Sequence, residues 1–321
     1  MLVTGGAGAI GSHLCDALLA RGDEVCVLDS FHDFYPRAQK ERNLAPARAH
    51  AGFRGVLEGD IRDRAFVREG FARFRPEAVV HLAARAGVRP SVEEPVDYVD
   101  VNVNGTAVVT VEAIGAGVQS LVFASSSTVY GVQSRGAFEE DVGTDAQVSP
   151  YGASKRAGEL LCHALWRQSG MPISCLRFFS VYGPRQRPDL ALAAFARLML
   201  AGKPIVVFGD GSVERDFTYY TDIQAGILSA LDRADGFRIY NLGRGQPVAL
   251  NRAIELLEQA LGVKVERDQR PGHPADMPHN WAAIDRAAAD LDYAPEVDLE
   301  QGIAGYVRWL REQPDCGSAP A

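Results

Sequence analysis

Tyr151 and Lys155 stand four residues apart in the stretch SPYGASKRAGE. On a helix that spacing puts both side chains on one face, and a phenol beside an ammonium is a pair that can move a proton. An unperturbed tyrosine, with a pKa of about 10, is a poor base at neutral pH. A neighbouring positive charge favours the phenolate and draws that value toward the working range. Lysine is scarce in this chain: only Lys40, Lys155, Lys203 and Lys264 are lysines among 33 basic residues, and Arg156 stands next door. The choice of lysine at 155 therefore points to a requirement of shape as well as charge.

A second cluster supplies that requirement. VTGGAGAIGSH places Gly5, Gly8 and Gly11 after a short apolar run, with Ala9 and Ile10 inside the turn. Glycine lets the backbone turn tightly and approach a pyrophosphate, while a helix starting there offers free amides and the positive end of its dipole. Asp29 closes the next apolar run 18 residues beyond Gly11, near the spacing at which a carboxylate meets adenosine ribose hydroxyls and repels a 2′-phosphate. NAD is expected over NADP. Lys155 then has cofactor ribose hydroxyls within reach, which a compact ammonium suits and a broad planar guanidinium fits badly. The positive nicotinamide adds to the pull on the Tyr151 proton. Asp60 and Ile61 of EGDIRD are expected at the adenine, and Leu82, Ala83 and Ala84 of HLAA as a small-residue wall beside the dinucleotide.

These residues need a scaffold that brings strand ends together. The runs MLVTG, EVCVLD, FRGVLEGD, AVVHLAA, SLVFASS and ISCLRFF read as buried parallel strands. Amphipathic segments from Ser12 to Arg21, Arg64 to Phe74, Val99 to Ala116 and Tyr151 to Ser169 lie between them as crossover helices. The pattern predicts an α/β chain with a Rossmann-type doubly wound parallel sheet. ASSSTVYG ends one strand at the carboxyl edge, where substrates of open sheets bind. After Phe179 the pattern loosens: VYGPRQRPD reads as a loop, PIVVFGDG and RIYNLG as strands, and Asn251 to Leu261 as a strong helix. A smaller C-terminal α/β substrate domain is expected. The expected division is residues 1–178 with 218–243 returning to them, against 179–217 and 244–313, with 314–321 a disordered tail.

Length and charge agree with such an enzyme. The 321 residues suit one large or two unequal domains of about 100–200 residues. A net charge of -8 without a basic block argues against nucleic acid and anionic membranes as partners. Cys15, Cys26, Cys162, Cys175 and Cys316 are odd in number and lack a C-x-x-C pair, which fits a reducing compartment and no metal cage. No basic, uninterrupted apolar leader opens the chain and no stretch reaches the roughly 18 uncharged residues of a membrane span. A cytoplasmic protein is expected.

Taken in order, TGGAGAIG, the GD pair, HLAA, NVNGT and YGASK resemble the extended short-chain dehydrogenase/reductase family over most of the chain. Within it, LRFFSVYGPRQRPD and GDGSVERDFTYYTDI resemble the nucleotide-sugar epimerases, particularly the UDP-glucuronate 4-epimerase group, and FHDFYPRAQKERNL and AGVRPS do so more weakly. The resemblance implies that Ser126 hydrogen-bonds the reacting hydroxyl, that Ser127 and Thr128 line the sugar pocket, and that Asn102 and Phe178 join the cofactor contacts. It also implies that Arg187 meets a sugar carboxylate with Ser180 and that Arg215 meets the diphosphate or uridine ribose. Arg89 and Asp276 are implied at the substrate, Asp276 near the nucleotide-binding loop. Two departures stand out: Ala9 replaces the family's usual aromatic, and RPGHPAD replaces a PGD, which puts Arg270 in doubt as a phosphate ligand.

Dehydratases and decarboxylases of the family carry an acidic residue where this chain has Ser127-Thr128-Val129. Its absence points to hydride and proton transfer alone. The implied activity is NAD-dependent 4-epimerisation of UDP-glucuronate, and a homodimer built on the helices of Val99 to Ala116 and Tyr151 to Ser169. The rivals are a 4-epimerase of an uncharged UDP-sugar, such as UDP-glucose or its N-acetylated relative, and a non-catalytic NAD sensor.

Overall fold

The computed structural model describes residues 1–131, 136–272 and 279–313. In chain order its strands are β1 (Leu2–Thr4), β2 (Val25–Asp29), β3 (Phe53–Glu58), β4 (Ala78–His81), β5 (Ser120–Ser126) and β6 (Ile173–Phe178). Shorter ones follow: β7 (Ser180–Tyr182), β8 (Ile205–Phe208), β9 (Glu214–Arg215), β10 (Phe217–Tyr219), then β11 (Phe237–Leu242), β12 (Val248–Ala249) and β13 (Arg267–Arg270). Seven of them form one sheet in the order β11-β6-β5-β4-β1-β2-β3, every pairing parallel. All six expected strands are in it. Those covered on both faces read as unbroken apolar runs; in β2 every residue is buried. The order reverses between β1 and β4, which opens a crevice at their carboxyl ends.

The helices are α1 (Ala9–Arg21), α2 (Arg37–Ala49), α3 (Arg64–Phe74), α4 (Val88–Glu93), α5 (Pro95–Val99), α6 (Gly105–Gly115), α7 (Pro150–Ser169), α8 (Ala191–Leu200), α9 (Tyr220–Asp232), α10 (Leu250–Leu261), α11 (Asp285–Leu291) and α12 (Leu299–Arg311). One face of the sheet packs on Leu14, Leu18, Leu44, Ile223 and Ile227 from α1, α2 and α9. The other packs on Phe71, Val109 and Cys162 from α3, α6 and α7. A separate core joins α8, α10 and α12 through Phe195, Ile254, Leu257, Ile303 and Val307. Between these cores the chain doubles back: α9 lies on the main sheet and β11 is its edge strand, beside β6.

Three elements differ from expectation for local reasons. The stretch expected as one helix from Val99 to Ala116 contains a π-helical turn at Asp100–Asn104, stabilised where Thr106 Oγ1 donates to the Asn102 carbonyl at 2.6 Å. The start of VYGPRQRPD is strand β7, which pairs with β10. Helix α2 is highly charged and contains Pro46, so periodicity does not announce it.

Helix α7, by contrast, is well marked at both ends. Ser149 Oγ accepts from the Gly152 amide at 3.1 Å, Pro150 opens the helix, and Gly170 closes it in the left-handed region. Cys15, Cys26, Cys162 and Cys175 are free and buried. Among the described residues no helix is long and apolar enough to cross a membrane, and no cluster has the makings of a metal site.

Candidate active site

A cavity of about 1080 Å³ opens at the carboxyl ends of β1 and β4 and runs toward the α8 core. Gly5, Gly8, Ala9, Ile10 and Gly11 form one end of it. Gly5 has φ +72°, and a side chain there would put Cβ 2.8 Å from the Ala83 amide nitrogen. A Cβ on Gly11 would come within 2.2 Å of the Gly5 carbonyl oxygen. Only glycine permits this tight cradle, and the first amides of α1 have no intrahelical acceptor.

Asp29 stands at the same end of the cavity. Its carboxylate accepts from the amides of Ala7 at 2.9 Å and Phe31 at 2.8 Å, so it also fastens the glycine loop to β2. Burial raises its pKa, against those two amides and the Lys40 charge. Asp60, Ile61, Leu82, Ala83, Ala84 and Phe178 line the cavity too. The Asp60 carboxylate is held by Arg62 at 2.6 Å, which keeps its pKa below the usual range. This end has the cradle, carboxylate and apolar wall that fit a dinucleotide.

Asn102 does not share that placement. Its amide is saturated: Oδ1 accepts from the Arg85 amide at 2.7 Å, and Nδ2 donates to the Arg85 carbonyl and to Ser154 Oγ, both at 2.9 Å. Seated in the π-helical turn and 1% exposed, it braces the Arg85 loop from behind and lines no part of the cavity.

Ser126 at the end of β5 and Tyr151 and Lys155 on the first turns of α7 meet midway along the cavity. Lys155 Nζ donates to the Ala124 carbonyl at 2.8 Å. Burial pushes the Lys155 pKa down to about 8, opposed by Cys162 and Glu159 on its own helix. For Tyr151, enclosure raises the phenol above its ordinary value, while the Ser126 hydrogen bond and the Arg187 charge pull it back. The Lys155 ammonium is held by the Ala124 carbonyl.

The far end holds Ser127, Thr128, Ser180, Arg187, Arg89 and Arg215. Thr128 Oγ1 donates to Ser126 Oγ at 3.0 Å, and Ser127 Oγ accepts from Asn280 Nδ2 at 3.1 Å. Arg89 stacks 4.2 Å from the Phe208 ring, bridging α4 to β8. Asp276 lies outside the described residues. Arg270 is turned away, paired with Asp268 at 2.7 Å on β13.

The cavity also takes in residues the sequence reading passes over. Asn280 arrives from a stretch with no periodicity. Tyr35 comes from the turn before α2 and Lys40 from its first turn, with the Lys40 ammonium 4.6 Å over the Tyr35 ring. His13 stacks on Tyr220 at 3.9 Å and meets the Pro184 carbonyl at 3.0 Å; burial pushes its pKa down to about 4.

A model of the NAD dependent epimerase/dehydratase family matches residues 1–243. The chain is 39% identical over 312 residues to a UDP-glucuronate 4-epimerase of Thermodesulfobacterium geofontis (strain OPF15), covering 97% of this chain and 96% of that one. Its fold superposes with a TM-score of 0.91, at 34% identity, on UDP-glucuronic acid 4-epimerase from Bacillus cereus in complex with UDP-glucuronic acid and NAD, covering 97% and 98%. A UDP-glucose 4-epimerase with UDP-glucose from Thermotoga maritima gives 0.88 at 32% identity, again covering 97% and 98%.

Proposed function

The chain belongs to the NAD dependent epimerase/dehydratase family, and on that premise we propose that it interconverts UDP-glucuronate and UDP-galacturonate by NAD-dependent epimerisation at C4. The observation that carries this reading is the meeting of Ser126, Tyr151 and Lys155 in one cavity between the glycine cradle and Arg187.

Tyr151, as phenolate, takes the proton of the sugar's 4-hydroxyl while Ser126 orients that hydroxyl. Lys155 would hold cofactor ribose hydroxyls, which its compact ammonium suits. When bound, NAD supplies the acceptor for the C4 hydrogen and returns it, so no net oxidation occurs. The 4-keto sugar turns its other face while Arg215 and the nucleotide end keep UDP in place. Tyr151 then restores the proton to the inverted hydroxyl. Ser127-Thr128-Val129 offers no acid or base for a further elimination.

Incubation with UDP-glucuronate, followed by chromatographic separation of the two uronates, tests the proposal; accumulation of UDP-galacturonate is expected, and outright preference for UDP-glucose overturns it. One observation favours the uncharged sugar: the Arg187 guanidinium is already paired with Asp189 at 2.7 Å.

The protein is further proposed to be a cytoplasmic homodimer joined through α6 and α7. Val111 on α6, 36% exposed, and Leu160 on α7, 55% exposed, leave aliphatic surface on those helices, and Val96 on adjoining α5 is 81% exposed. Light scattering would read a single protomer mass if this is wrong.

A further inference from the structure

One turn past Lys155, on the same face of α7, Glu159 is fully enclosed. Oε1 accepts from Ser125 Oγ at 2.6 Å and Arg177 Nε at 2.8 Å; Oε2 accepts from Arg177 Nη2 at 2.8 Å and Arg156 Nη1 at 3.1 Å. Arg177, 1% exposed, ends β6 beside Phe178, donates from Nη1 to the Glu140 carbonyl at 3.1 Å and lies 4.7 Å from the Tyr130 ring.

Two contacts from α7 fall on successive residues of β5. Lys155 binds the carbonyl of Ala124, Glu159 binds the hydroxyl of Ser125, and the next residue is Ser126. Helix α7 thus holds the strand at the two positions before Ser126, through a backbone carbonyl at 124 and a side chain at 125.

We infer that Glu159 is a positioning residue for the epimerisation proposed above, setting the helix that carries Tyr151 and Lys155 against the strand end that carries Ser126. The inference rests on that functional reading. The simpler role would be to neutralise Arg177, since a buried charge left alone is strongly destabilising. The two roles differ in what happens when both charges are removed together.

The test compares wild type, Glu159→Gln and Glu159→Gln/Arg177→Met, measuring kcat and KM on whichever UDP-hexose the wild type epimerises, NAD retained on purification, and thermal midpoint. A shift of about 1 Å in reacting groups costs on the order of 100-fold, so kcat is expected to fall about 10- to 100-fold in Glu159→Gln. KM should stay within about twofold and NAD should be retained. The double variant should recover thermal stability but stay equally slow. Recovery of kcat in the double variant, or wild-type kcat in Glu159→Gln, overturns the inference. If the single variant does not fold, kcat of the double variant decides alone. Wild type active only on a neutral UDP-hexose overturns the substrate assignment and leaves the Glu159 comparison intact; wild type inactive on every UDP-hexose overturns both.

Discussion

Arg187 and Asp189 form a two-point ion pair inside the cavity that holds Tyr151: Nε donates to Oδ1 at 3.0 Å and Nη2 to Oδ2 at 2.7 Å. Nη1 donates to the Ala86 carbonyl at 3.2 Å, and the guanidinium lies 5.0 Å from the Phe34 ring. A guanidinium has five N–H donors. Three are used here, which leaves one on each terminal nitrogen to receive a second carboxylate in a fixed orientation.

If that carboxylate belongs to glucuronate, Arg187→Ala strands it in a largely dehydrated pocket. Truncating one partner of such a pair costs about 2–5 kcal/mol, so kcat/KM with UDP-glucuronate should fall roughly 30-fold or more. Any weak activity on UDP-glucose should barely change. Equal loss on both substrates would assign Arg187 to the shared diphosphate or to the fold.

Tyr151→Phe should retain bound NAD and lose epimerisation by about 10²–10⁴, the contribution of a positioned acid–base group. The phenol is raised by enclosure in the polypeptide alone, and a positive cofactor charge nearby would favour the phenolate. Ultraviolet difference titration of cofactor-stripped and NAD-loaded protein, each against its Tyr151→Phe counterpart, should show the Tyr151 phenolate appearing at lower pH in the loaded form. Coincident titrations would contradict this.

Lys155 gives a stability prediction with a definite sign. Its folded pKa of about 8 lies below its ordinary 10.5. Below about pH 8 both states carry the proton and folding bears the full cost of burying the charge; between about 8 and 10.5 the unfolded chain binds the extra proton, so stability rises with pH. Wild type should gain on Lys155→Met in denaturant midpoint across that window. A constant difference would place the folded pKa elsewhere. Lys155→Arg should also be poorly active, because a broad planar guanidinium fits ribose hydroxyls badly where a compact ammonium suits them.

Asp29→Ala should release NAD more readily and loosen the glycine loop, since the Ala7 and Phe31 amides lose their acceptor. Protein purified without added nucleotide and then denatured should yield NAD from wild type and less from the variant. Recovery of NADP would contradict the carboxylate argument.

The parts of the site that read from sequence are those made by a strand end and the element after it. Gly5 to Gly11 and Asp29 combine a local pattern with a fixed place at a strand end, Tyr151 and Lys155 follow from helical spacing on α7, and Ser126 is legible through the family resemblance. Asn102 was harder to place because its neighbours suggest an ordinary helix, while a π-helical turn points its amide at Arg85. Arg187 was visible as a cation, but its pairing with Asp189 depends on loop geometry that no periodicity encodes. Asn280 and Tyr35 reach the cavity from segments distant in the chain, so only tertiary packing reveals them.

The doubling back of the chain constrains how this architecture can diversify. The α8–α10–α12 core draws on residues from Tyr182 to Phe217 and again from Ala253 to Leu310, while α9 and β11 between them belong to the main sheet. No contiguous segment of the chain could therefore be exchanged to replace that core without also taking the edge strand beside β6. A substitution at a single lining position, such as Arg187 or Asn280, alters the cavity while leaving both cores whole.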